Sequence, residues 1–305
     1  MLKKIILSFL MISISSCYYS EDIENTPDYI PPTPVVEVTP TPIPSPSTTI
    51  KSTKKTTTPS TKNKDQGADP TKTKKVSKKP TPTPTPTPVP TKTPTLDELG
   101  KIIYKKATDK LKNMNTFKTS IRSFVKGHYV QKEYVAEAKS ASSVMPIIFQ
   151  RPRKMKVRIT EAPGSPNLIN TSIYFDGGEN VKIKVPGILG LFTFTFPIDK
   201  PELTGYRGYS LKDVDIVSLE TRMDNPNAKV KIIGTSKMEN ADVYVLEVHD
   251  IKYMDDKITK ELFYIRKSDY MIAANEMYEN EDMVFQNKYE KAEYNPPVSD
   301  SDFKI

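Results

Sequence analysis

Phe149-Gln150-Arg151-Pro152-Arg153-Lys154-Met155-Lys156-Val157-Arg158-Ile159 opens the stretch whose reading decides the fold. From Met155 onward apolar and basic residues alternate, which is the period of a strand with one buried and one wet face. Arg151-Pro152 stands just ahead of it. Proline cannot donate to a ladder, so it marks an edge, a bulge or a strand start. A loop, Ala162-Pro163-Gly164-Ser165-Pro166-Asn167, leads to Ile173-Tyr174-Phe175. Asp176-Gly177 then turns the chain tightly, and Asn180 to Pro186 alternates again through Val181, Ile183 and Val185. The pattern predicts an antiparallel meander with one apolar face.

Working outward, the same period recurs on both sides. Upstream, strands are expected over 117–126 and 144–149, with 129–140 of uncertain type between them. Downstream, Val230-Lys231-Ile232-Ile233 leads to a turn near Glu239-Asn240. Strands follow over 243–248, 260–266, 270–279 and 283–291, with polar turns at Asp255-Asp256 and Lys267-Ser268-Asp269. One helix is plain. Thr95-Leu96-Asp97-Glu98 is a capping box, and Leu96, Leu99, Ile103, Ala107, Leu111 and Met114 line one face at helical spacing. Such a helix packs on a sheet or lies on a membrane; its length and strong cap favour the sheet. The fold class is therefore α+β, a large and mostly antiparallel sheet with few helices, whose apolar face must be covered by helices or by ligand.

Gly187 to Pro197 is the least ordinary segment. Ile188, Leu189, Leu191, Phe192, Phe194 and Phe196 sit among small residues and threonine without a single charge. It reads either as a strand or flap packed on the core, or as an apolar lid that meets acyl chains.

The N-terminal third is of another kind. Residues 1–17 have a basic start at Lys3-Lys4 and an apolar core from Ile5 to Ile14, short for a membrane span, as in an export signal. They end Ile14-Ser15-Ser16-Cys17, which resembles the lipobox of bacterial lipoproteins and implies lipidation of Cys17. The alternative is an ordinary cleaved signal, although Cys17 is the only cysteine and has no disulfide partner. From 18 to 94 proline, threonine, serine and lysine dominate without apolar periodicity, the composition of a disordered stalk. Extended as polyproline II it would reach about 240 Å, and as a flexible coil about 50 Å.

The chain has 45 basic and 37 acidic residues, a net charge of +8. Eleven lysines face only Asp65 and Asp69 between Lys51 and Lys92, so most of the excess belongs to the stalk and residues 95–305 are close to neutral. The stalk charge is either a diffuse attraction to anionic surfaces or a means of keeping a linker soluble. A folded part without a basic stripe argues against a nucleic-acid partner.

Little in the sequence points to catalysis. There is no Gly-x-Ser-x-Gly elbow, no phosphate-cradling glycine loop and no histidine-rich metal spacing. His128 and His249 read as strand-end or sheet-surface residues. Asp255-Asp256 and Asp300/Asp302 read as carboxylates in exposed turns without the further ligands that calcium needs. We expect no enzyme, no metal and no cofactor.

Arg151-Pro152 with Met155 and Val157, then Asp176-Gly177 with Val181-Lys182-Ile183-Lys184-Val185-Pro186, resembles the periplasmic lipoprotein-carrier (LolA-type) superfamily. Val243-Tyr244-Val245-Leu246-Glu247 and the tail Asn295-Pro296-Pro297-Val298 to Phe303 extend the likeness over most of 95–305. That superfamily includes the outer-membrane lipoprotein carrier and receptor, a regulator that senses envelope stress, and mycobacterial lipid-binding lipoproteins. The resemblance implies a strongly curved, unclosed β-barrel with helices across its mouth and an apolar cavity between. It further implies a gating or release role for Arg151. The expected protein is a membrane-anchored extracytoplasmic lipoprotein, held through Cys17, whose domain binds lipid or lipoprotein acyl chains. The candidate contacts are Met155, Val157, Phe175, Ile183 and Val185 on the sheet, with Leu189, Phe192 and Phe194 as cover. The alternative is an envelope sensor or interaction module with a protein partner and no bound lipid.

Overall fold

The computed structural model describes residues 94–305, except 164, 251–254 and the side chains of Ile188 and Leu189. The expected signal (1–17), the lipobox Cys17 and all but the last residue of the stalk (18–94) lie outside the described residues.

The alternation at Met155 becomes β3 (Lys154–Arg158), with Met155 and Val157 buried and the basic residues turned out. It sits in an eleven-stranded antiparallel sheet of order β6-β5-β4-β3-β2-β1-β11-β10-β9-β8-β7. The strands are β1 (Thr116–Val130), β2 (Glu133–Gln150), β4 (Ser172–Phe175), β5 (Asn180–Lys184), β6 (Phe194–Pro197), β7 (Lys229–Met238), β8 (Ala241–His249), β9 (Lys260–Arg266), β10 (Ile272–Glu279) and β11 (Asp282–Tyr294). Each wing is a meander of hairpins, and β1 pairing with β11 joins the two. The sheet is strongly curved and unclosed, with β6 and β7 as its edges. Register shifts recur at Lys118/Ser120, Gly127/Tyr129 and Ile232/Gly234, and such bulges bend a strand and increase its twist. The α+β, mostly antiparallel expectation is the fold observed.

The segment 129–140 is not separate. β1 runs on to Val130, Gln131 and Lys132 make the turn with φ of 52° and 67°, and β2 continues unbroken to Gln150. Most positions on this arm are half-buried or exposed, so no alternation of apolar residues marks it.

The helix α1 (Leu96–Lys112) begins as expected. Thr95 Oγ1 accepts from the Glu98 amide at 3.2 Å, and Glu98 Oε2 accepts from the Thr95 amide at 2.7 Å. Ile103, Tyr104, Ala107 and Leu111 are buried where α1 lies on β7 and β9, and Leu96 in the first turn is left exposed. β8 and β9 are buried on both faces. Leu246, Val248, Phe263 and Ile265 belong to the main core, while Val243, Val245, Leu262 and Tyr264 form a second cluster behind it.

Between β6 and β7 the chain leaves the sheet and makes two short helices, α2 (Leu211–Val214) and α3 (Ile216–Met223). The segment leading to them is pinned at the far end of β1, where the Tyr129 amide donates to Tyr206 O at 2.9 Å. That approach needs Gly127, because a Cβ there would stand 2.2 Å from Tyr206 O. Arg207 holds the same segment. Its guanidinium forks onto Asp255 at 2.8 and 3.1 Å and reaches Glu279 at 3.1 Å, while the Tyr209 hydroxyl donates to Asp255. Burial works against ionisation of Asp255, but the bonds from Arg207 and Tyr209 outweigh it and hold its carboxyl below the usual range. The same carboxylate, with burial, pushes the Tyr209 phenol up. Asp255 was expected in an exposed turn and instead closes this clamp.

Candidate binding cavity

The inner face of the sheet is built by register. Ile121 on β1 faces Tyr289 on β11 and Met145 on β2. Phe117 faces Phe149, Phe149 faces Met155, and Ile147 faces Val157. Because side chains alternate across a strand, each of these rows points to one side. Leu211 and Val214 of α2, Asp215, and Ile216 of α3 stand opposite. Between the two layers lies a cavity of about 90 Å³. A single water needs about 10–15 Å³ counted the same way, so the space takes roughly six to nine water-sized groups. That is room for part of an acyl chain; a whole long chain requires α2–α3 to move outward.

Two arginines, one on each side of Pro152, fasten α2–α3 to the rest. Arg151 donates through Nε to Met114 O at 2.6 Å and through its terminal nitrogen to Leu111 O at 2.8 Å and to Glu220 on α3. It therefore ties the C-terminal end of α1 to α3. Arg153 donates to Asp215 at 2.6 and 3.1 Å and to Lys212 O at 2.5 Å. Asp215 also caps α3 by accepting from the Ser218 amide at 2.8 Å. A single carboxylate thus orders the helix start and the latch.

At one end the apolar cavity meets a polar one. Val214, Phe285, Asn287 and Tyr289 line both, and Leu219, Arg222 and Asn275 complete the second, of about 10 Å³. Arg222 donates to Glu261 Oε1 at 3.1 Å, Asn275 donates to the same oxygen at 2.8 Å, and the Tyr289 hydroxyl donates to Asn275 at 3.3 Å. Glu261 is fully buried, and burial pushes its carboxyl up against the opposing pull of Arg222 and Asn275. Burial likewise pushes the Tyr289 phenol up to about 12. Among the described residues, Arg222 Nε and Glu261 Oε2 are buried with no hydrogen-bond partner.

The residues singled out from sequence fall into three groups. Met155 and Val157 line the cavity, and Arg151 fastens its cover. Phe175, Ile183 and Val185 are buried on the same side of the sheet but toward β6, in the packed core rather than in the cavity wall. Leu189 has no described side chain. Phe192 is 57% exposed, and Phe194 packs on Phe196 in the edge strand, facing Ile183. Neither lines the cavity; α2 and α3 cover it instead. Sequence reading missed these helices. Their signals were Ser210 followed three residues later by Asp213, and Asp215 followed by Ser218. The first is a capping box with aspartate in place of the usual glutamate.

Among the described residues no group of three or more His, Cys, Asp or Glu side chains could hold a metal ion. Among them, too, no helix is long and apolar enough to cross a membrane. Both histidines are held at strands: His128 stacks on Tyr134, and His249 contacts Glu247 at 3.0 Å.

These features define an unclosed antiparallel barrel with a helical cover and an internal cavity. No protein-family model matches the chain, and no curated protein matches it. Among solved structures it is similar to LppX, a lipoprotein of Mycobacterium tuberculosis, at 12% identity and a TM-score of 0.41, over 67% of this chain and 98% of that one. It is similar to a LolA-superfamily protein of Nitrosomonas europaea at 13% identity and a TM-score of 0.32, over 68% and 97%. It is also similar to the MucA/MucB complex of Pseudomonas aeruginosa at 8% and 0.31, over 68% and 60%.

Proposed function

We propose that the protein is a membrane-anchored extracytoplasmic lipoprotein that binds lipid or lipoprotein acyl chains between its curved sheet and the α2–α3 cover. The cavity carries this reading, because most of its wall is apolar and its cover is held by polar ties rather than by a continuous core. Met155 and Val157 would contact the chain, and Arg151 would set how readily the cover opens. Lipidated Cys17 would supply the anchor and the stalk the reach. Each buried methylene contributes about 0.8 kcal/mol, so a few suffice to hold a ligand. No reacting group is needed, and the function is binding rather than catalysis.

The test is organic extraction and lipid mass spectrometry of the full chain carrying Cys17→Ser, purified without detergent. Stoichiometric acyl lipid is expected, reduced by Met145→Trp, which places an indole in the cavity. A folded chain that carries no lipid and takes up none from vesicles would overturn the reading. One observation favours a second reading, that of an envelope sensor or interaction module: the closed cavity is smaller than a long acyl chain. Capture of a stoichiometric envelope protein by lipid-free chain would support it.

A further inference from the structure

The cavity has a chemical end as well as an apolar wall. Arg222 is 6% exposed and lines the small polar chamber continuous with the main cavity through Asn287 and Tyr289. One arm of its guanidinium is taken by Glu261 Oε1, and Asn275 uses the same oxygen. The Nε hydrogen is left over, a donor on a cation, in a space of about 10 Å³. That space fits about one water or one oxygen atom with its carbon. A hydrocarbon end placed there would leave the donor dry, whereas an oxygen acceptor would satisfy it.

We propose, resting on the acyl-chain reading above, that this chamber is a subsite for the carbonyl oxygen of an acyl group, donated to by Arg222. The apolar tail then lies along Ile121, Met145 and Val157, and the ligand enters with its polar end directed toward α3 and β10. The cavity accordingly selects carbonyl-bearing chains over bare hydrocarbons of equal length. A free fatty carboxylate and an esterified lipid present the same oxygen.

Displacement of the apolar fluorophore N-phenyl-naphthylamine from the full chain (Cys17→Ser) by dodecanoic acid, methyl dodecanoate and dodecane tests this. The acid, the ester or both should displace at a concentration at least about tenfold below that of dodecane, the order expected for a hydrogen bond from a charged donor. The acid alone would assign the subsite to free carboxylates, and both would extend it to esters. In Arg222→Met/Glu261→Met, which removes the pair together and leaves no lone buried charge, the preference should vanish while dodecane displaces as before. Equal displacement by all three in the unsubstituted chain would overturn the subsite but leave the acyl-chain reading standing. So would a preference that survives in the double variant. Failure of all three to displace would overturn both. The comparison within the unsubstituted chain needs no variant to fold.

Discussion

Glu220→Gln is the sharpest probe of the cover. Arg151 makes three contacts, two to backbone carbonyls at the end of α1 and one to the Glu220 carboxylate on α3. The two side chains are 28% and 20% exposed, so the pair is shielded from bulk water without being desolvated. Glutamine keeps the shape and an acceptor oxygen and loses only the charge. A hydrogen bond to a charged group is worth about 1.5–3 kcal/mol and a neutral one about 0.5–1.5, so the change costs about 1–2 kcal/mol. Arg153 still holds Asp215, and the sheet is untouched. The cover should therefore open about five to thirty times more often while global stability falls little. Hydrogen exchange reads this directly. The Leu219 and Asp224 amides, which donate to Asp215 O and Glu220 O at 3.0 and 2.9 Å, should exchange faster by that factor. The Phe263 amide in β9 should not change. Unaltered α3 protection would refute a latch at Arg151–Glu220. A uniform rise at every amide would refute a cover that moves independently of the sheet.

Two further outcomes test the clamp that holds the segment before α2. The carboxyl of Asp255 is held below its ordinary 3.8, so its contribution is fully present above that value and is lost as pH falls through and below it. The urea midpoint of the unsubstituted chain should therefore drop between about pH 5 and about pH 3 more steeply than that of Asp255→Asn; parallel curves would refute the clamp. Gly127→Ala drives a methyl group into Tyr206 O, and should cost at least about 2 kcal/mol in a urea melt, while a neutral result would mean that the 204–210 segment lifts freely.

Much of the fold could be read locally. The capping box at Thr95, the alternation through Met155 and Val157, the Asp176-Gly177 turn and the hairpins beyond Val230 are set by neighbours a few residues apart, and each formed as expected. The arm at 129–140 could not, because its faces are both half-wet and the chain had no reason to alternate. The two short helices were obscured for a different reason. α3 has eight residues, too few to show a helical period, and α2 and α3 are stabilised by Arg151 and Arg153, which lie some sixty residues away in the chain.

The sequence alone determined the antiparallel strands, the leading helix and the segregation of positive charge into 51–92, because strand period, capping and composition are local properties. Tertiary structure alone decided which apolar residues face a cavity and which a packed core. Met155 and Ile183 follow the same alternation, yet only the residues beneath α2–α3 are left with space beside them. It also decided that Arg222 is buried beside Glu261. A polar side chain's surroundings depend on which strands its own segment crosses, and no spacing along the chain encodes that crossing.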